Sequence, residues 1–149
     1  MLEADVHVES ISGATIIGTQ EPRKVMPLWF NSTLGRQRSS DWDFQRFVPQ
    51  AVIINLGTND FRQFQKEQLD AEFEVQYRQF LSQIRSAYGH QVHFFLVCGA
   101  MVESLPGCQS IEEIAKTEAN SFYIQVGDDF GPSDYGVSDT APSVPTSSS

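Results

Sequence analysis

The chain has 149 residues, 40% of them hydrophobic, and 10 Lys+Arg stand against 19 Asp+Glu for a net charge of −9. That length is enough for one domain with a core, and the acidic balance has the wrong sign for binding a phosphate backbone, which argues against a nucleic-acid partner. No apolar stretch approaches the roughly 20 residues of a membrane helix, and Met1-Leu2-Glu3-Ala4-Asp5 is acidic where a signal peptide is basic, so neither a membrane nor an address is expected from these residues.

In chain order, Val6, Val8 and Ile11 alternate with polar residues up to Ser12-Gly13, which predicts a first strand over 5–11 ending in a glycine turn. From Thr19 to Pro49 the pattern breaks at Pro22, Pro27, Gly35 and the polar run 36–41, and a long irregular excursion is expected, of the kind that is usually functional or mobile. Residues 51–56 form an apolar, β-branched run between Pro49 and Gly57, which reads as a strand buried on both faces of a parallel sheet. Phe73, Tyr77, Phe80, Leu81, Ile84 and Tyr88 then follow the spacing of one helical face, with Gly89 as the stop. A second continuous strand is predicted from Val92 to Val97, so strand, helix and strand make a right-handed βαβ unit. Ser110-Ile111-Glu112-Glu113 reads as a capping box opening a short helix with Ile111, Ile114 and Ala115 inward, and Phe122–Val126 as a last strand. The final 23 residues hold six Ser, three Pro, three Gly and four Asp and no basic residue, which is the composition of a disordered tail, leaving 1–126 as the folded part.

Cys98 and Cys108 are too few for a disulfide scaffold and lack zinc-site spacing. They are close enough in sequence for one local bridge, but the usual burial of free cysteine favours two core thiols. No clustered set of ligating side chains implies a metal, and no cofactor motif is present.

In open parallel sheets, ligands bind outside the carboxyl ends of the strands. Three such ends are visible: Ser12-Gly13, Gly57-Thr58-Asn59-Asp60 and Cys98-Gly99-Ala100. At the second, Gly57 lets the chain turn, Asn59 can project an amide donor, and Asp60 can brace the loop. Such an amide can stabilise an acyl-transfer oxyanion, while turn statistics alone favour an Asn-Asp turn that merely caps the next helix.

Read together, Glu9-Ser10-Ile11-Ser12-Gly13-Ala14-Thr15 and Val52-Ile53-Ile54-Asn55-Leu56-Gly57-Thr58-Asn59-Asp60 resemble the second and third sequence blocks of the SGNH (GDSL-type) esterases. Met26-Pro27, Trp42-Asp43-Phe44, Pro49-Gln50-Ala51 and the stretch from Tyr77 to Met101 are similar to the acetyl-xylan esterases of carbohydrate esterase family two. The resemblance implies a flavodoxin-like, three-layer α/β fold with a parallel sheet. It also implies deacetylation of polysaccharide, or of another small ester, through a serine acyl-enzyme. Carried over, Gly13 would supply a backbone N–H and Asn59 a side-chain N–H to the oxyanion hole. Asp60 would order the loop, Gly57 would lie against substrate, and Trp42 would be a sugar-stacking platform or, as aromatics usually are, core. The resemblance would imply secretion, although these residues carry no signal peptide.

Two blocks of that family have no counterpart. No Gly-Asp-Ser precedes Gly13, and the histidines are His7, His90 and His93, none in a C-terminal Asp-x-x-His. Ser10 and Ser12 have no base nearby in sequence, His7 lies back along the same strand, and His90 and His93 precede a strand at the opposite end of the sheet. The resemblance therefore implies a partial domain, as from a truncated gene product, whose first strand lacks its neighbour, with neither nucleophile nor base and with little hydrolysis of its own. Two other readings stand beside it: a non-catalytic carbohydrate-binding module, and an unrelated flavodoxin-like binding domain in which Asn59 points away from Gly13. Oligomeric state does not follow from these residues.

Overall fold

The structure, a computed structural model, describes residues 3–18, 24–32, 41–63, 66–99 and 107–126. The expected tail over 127–149 lies outside the described residues, as do parts of the 19–49 excursion. Three parallel strands, β1 (Ala51–Ile54), β2 (His93–Gly99) and β3 (Ser121–Val126), form a sheet in the order β1-β2-β3, with Ile53 opposite Phe95 and Phe95 opposite Phe122. Helices α2 (Thr58–Gln63) and α3 (Lys66–Tyr88) connect β1 to β2, and α4 (Gly107–Thr117) connects β2 to β3. Both crossovers step the same way across the sheet, so their common hand places α3 and α4 on one face. There the two helices pack on each other, and α4 packs on β2 and β3.

The helical face read from the sequence is the one that is buried. Phe73, Tyr77, Phe80, Leu81 and Ile84 of α3 join Ile54, Phe94 and Leu96 of the sheet and Ile111 and Ile114 of α4 in one core. Gly89 ends α3 at φ +94°, its N–H donating to the Arg85 carbonyl at 2.8 Å, a left-handed stop that a side chain would strain. Arg85 ties this end together. Its guanidinium lies 4.6 Å from the Phe94 ring centre and donates to the carbonyls of His90 and Ala119.

The excursion contributes more to the core than its composition suggests. Pro27 lies in the first turn of a short helix, α1 (Met26–Trp29), where its missing N–H costs nothing. Met26 and Phe30 are buried, and Phe30 meets Phe80 and Tyr88 edge-on at 5.7 and 5.9 Å. A 3-10 turn (Phe44–Arg46), capped by the Asp43 carboxylate, sets Phe44 against Tyr88 at 5.3 Å.

Four expectations change. Residues 5–11 form no strand: Val6 and Val8 are 76% and 74% exposed, and alternation alone cannot make a strand where no described segment pairs with it. The run 51–56 is not buried on both faces, since Ile53 is 72% exposed and shares an open sheet face with Phe122 and Ile124. A continuous apolar run shows that a strand can be covered on both sides, not that both covers are present. The helix of the capping box begins three residues early, at Gly107, so Ser110 lies inside it, although Ile111, Ile114 and Ala115 are buried as expected. Lastly, Cys98 and Cys108 are not free thiols but a disulfide, their Cα atoms 5.6 Å apart. The end of β2 and the first turn of α4 are brought within bridging distance, which sequence spacing cannot show. Closing a loop of this size contributes about 2.5–3 kcal/mol in the chain-entropy account.

Tyr77 is fully buried and its hydroxyl has no hydrogen-bond partner among the described residues. An unpaired buried hydroxyl costs about 1–3 kcal/mol, so Tyr77→Phe should raise the urea midpoint of unfolding by the equivalent of about 1 kcal/mol. A loss of that size would show that the hydroxyl is bonded.

Candidate active site

The site begins where β1 ends. Gly57 has φ +118°, and a Cβ placed on it would stand 2.9 Å from the Phe61 ring, so the turn needs glycine on both counts. The turn starts α2 at once, with the Phe61 N–H donating to the Gly57 carbonyl at 2.9 Å, and this puts Asn59 and Asp60 in the first helical turn. The Phe61 ring then packs on Phe73 of α3 at 4.8 Å. Gly57 is buried beneath these two rings, where it shapes the turn rather than facing a substrate.

Asp60 is fully buried and reaches 44 residues back along the chain. The Ile16 N–H donates to both carboxylate oxygens at 3.0 and 3.1 Å, and the Ile17 N–H to one of them at 2.8 Å. Beside it, Asn59 Nδ2 donates to the Ala14 carbonyl at 3.0 Å. Asn59 therefore points toward Gly13-Ala14 and not away, so the two motifs read from the sequence meet. A primary amide carries two N–H donors, and the bond to Ala14 uses one. Gly13 itself, at φ +78°, is half-buried in the turn closed by Ala14 N–H to Ile11 carbonyl at 3.1 Å.

Burial pushes the Asp60 carboxyl up to about 6, against the pull of the Ile17 and Ile16 N–H groups. Tyr77 is raised as well, by burial and then by the Asp60 charge.

One residue beside this turn escaped sequence reading. The Lys24 side chain runs along Gly13, its Cδ and Nζ 3.4 and 3.8 Å from where a Cβ there would stand. The pairing of Thr15 with Val25 puts it there, through Thr15 N–H to Lys24 carbonyl at 2.9 Å. That bridge has no signature in the residues 19–25.

Trp42 is not brought to this loop. Its backbone N–H donates to the Asn31 carbonyl, its ring lies 4.9 Å from His7, and the Arg46 guanidinium is 5.8 Å from the ring centre. The next residues place Phe44 on Tyr88, in the last turn of α3, whereas Asn59 is next to the Phe73 end. Fifteen residues of helix separate those ends, a rise of about 22 Å. Trp42 thus belongs to a cluster with His7, Phe47 and Arg46 at the far end of the domain.

Neither half of a nucleophile–base pair stands beside Asn59 among the described residues. Ser10 and Ser12 are exposed, His7 is with Trp42 and Glu9, and Cys98 is bridged. His90 and His93 are at the amino end of β2, where the His93 N–H donates to Gln50 and its ring stacks on Phe122 at 6.2 Å. Also among the described residues, no group of three or more His, Cys, Asp and Glu could hold a metal ion, and no helix is long and apolar enough to cross a membrane.

The family model described as GDSL-like lipase/acylhydrolase matches residues 6–133. The chain belongs to that family. Within it, this SGNH chain is 31% identical over 113 residues to the cellulase/esterase CelE of Acetivibrio thermocellus, covering 70% of this chain and 13% of the relative. A solved carbohydrate esterase, whose active site is described as displaying divergent catalytic and non-catalytic binding functions, superposes with a TM-score of 0.60 at 22% identity. That match covers 76% of this chain and 40% of the other, and shows the shared flavodoxin-like fold. The chain thus spans less than half of either relative.

The raised Asp60 carboxyl carries a pH signature for this SGNH loop. The unfolded chain releases the proton near 4 and the folded chain near 6, so the group's contribution to stability falls as pH rises through that window. Asp60→Asn removes the titration. The stability difference between the native chain and Asp60→Asn should therefore shrink by about 2–3 kcal/mol from pH 4 to pH 6.5, read by urea unfolding. A difference that widens with pH would contradict the assignment.

Proposed function

We propose that this chain carries the oxyanion side of an SGNH carboxylic ester hydrolase whose lineage removes acetyl groups from polysaccharide. The observation that carries the reading is the meeting of the two loops: Asn59 bonded to Ala14, and Asp60 holding Ile16 and Ile17. It supports the reading because an amide donor and the Gly13 turn stand together at the carboxyl end of the sheet, within reach of a carbonyl oxygen gaining charge. One such donor is worth about 3–4 kcal/mol in the transition state. The names of the two relatives, an esterase and a carbohydrate esterase, support the ester and the sugar. The Cys98–Cys108 bridge supports an oxidising, extracellular setting.

A donor polarises a carbonyl, but acyl transfer also needs a nucleophile and a base within hydrogen-bond reach of each other. The 149 residues contain neither Gly-Asp-Ser nor Asp-x-x-His, and so this chain by itself binds the ester and does not cleave it. The purified chain should hydrolyse p-nitrophenyl acetate no faster than buffer. It should bind an acetylated xylo-oligosaccharide in calorimetry, with affinity falling at least tenfold in Asn59→Ala and holding in Trp42→Ala. Turnover blocked by a serine-directed organophosphate would overturn the first statement. Binding lost in Trp42→Ala but kept in Asn59→Ala would move the site to the far cluster and favour a non-catalytic sugar-binding module.

A further inference from the structure

The disulfide and the oxyanion loop are joined by one ring. Cys98, at the carboxyl end of β2, is buried, and its bridge fixes Cys108 in the first turn of α4. The residue before Cys108 is Gly107, which is also buried. A Cβ on it would fall 1.9 to 2.1 Å from three atoms of the Phe61 ring. The same ring also lies against Gly57, where a Cβ would stand 2.9 and 3.1 Å away. Phe61 thus touches two glycines, one in the turn that leads to Asn59 and one in the helical turn held by the disulfide, and it also packs on Phe73 of α3 at 4.8 Å.

We propose that Cys98 and Cys108 are positioning residues for the oxyanion loop, acting through Gly107 on Phe61 and so on Asn59. Four constraints converge on this one assignment. Phe61 directly follows Asn59 and Asp60 in α2, so a displacement of the ring turns the first helical turn that carries them. Helix α2 has only six residues, too few to hold its own orientation without tertiary contacts. β2 ends at the same carboxyl edge of the sheet as the Gly57 turn, and the Cys98–Cys108 bridge fixes α4's first turn against that end of β2. Finally, Gly107 leaves no slack, since any side chain there would have to displace the ring. The catalytic meaning of the proposal rests on Asn59 being an oxyanion donor. The mechanical link does not, and its test reads no substrate.

The test compares side-chain signals in the full chain by nuclear magnetic resonance. Two variants are used: Cys98→Ser/Cys108→Ser, which removes the bridge, and Gly107→Ala, which leaves the bridge intact and crowds the ring. In both, the Asn59 side-chain amide and the Phe61 ring protons should shift. The Ile16 and Ile17 amides should exchange at least tenfold faster, while Phe94 and the last turn of α3 stay as in the native chain. Mass spectrometry after alkylation should find no free thiol in Gly107→Ala. Unmoved Asn59 and Phe61 signals in either variant would overturn the proposal. So would an equal loss of signals along the whole chain, which would mark the disulfide as a general staple. Failure of Asn59→Ala to weaken ester binding would remove the oxyanion reading and leave this result standing.

Discussion

The bond between the Asp60 carboxylate and the Ile16 and Ile17 amides is the constraint on which the rest of this structure turns. It is a buried acid accepting from backbone groups 44 and 43 positions away, in a protein whose sheet has three strands among the described residues. Residues 14–17 belong to no strand, and among the described residues a single bridge to Val25 is all the ladder they have. Without Asp60 the Ile16 and Ile17 N–H groups would be buried and unpaired, at about 1–3 kcal/mol each. The acid therefore does what a strand partner does elsewhere, at the cost of keeping a carboxyl away from water.

From that bond the site follows in order. Gly57 turns the chain sharply enough to put Asp60 under residues 16 and 17, and Asn59, one position earlier on the helix, then falls opposite Ala14. Phe61, one position later, faces inward to Gly57, Phe73 and Gly107. Three consecutive residues thus serve three ends: a donor at the surface, a brace in the interior and a wedge against the neighbouring helix. The short α2 is where the end of β1, residues 14–17 and α4 meet, and that makes it a good platform for a fixed amide.

Much of this could be read from residues alone, and what could not has physical causes. The face of α3 was legible because a 3.6-residue period repeats over six large side chains, and Gly89 marks its end. The loop from Gly57 to Asp60 was legible because a β-branched run, a glycine and two turn-forming polar residues stand in sequence, and because the order of blocks matches the SGNH family. The open face of the sheet was not, since Ile53 is as apolar as Ile54 and only the count of covering layers separates 72% exposure from 4%. Nor was the disulfide, because two cysteines ten positions apart are compatible with a bridge or with two thiols until β2 and α4 are placed. The resemblance leaves Trp42 as a sugar platform or as core, and its position depends on the Asn31–Trp42 backbone bond, which sets it toward the other end of α3. Lys24, brought to Gly13 by backbone pairing alone, left no trace in local pattern.

The central claim is that one buried carboxylate holds the two site loops together. Backbone amide exchange in Asp60→Ala against the native chain measures this directly. With the carboxylate gone, protection at Ile16 and Ile17 should fall by at least a hundredfold, while Phe94 and Leu96, inside the β2 ladders, keep theirs. Undiminished protection at Ile16 and Ile17 would show that another interaction joins the loops and would contradict the account.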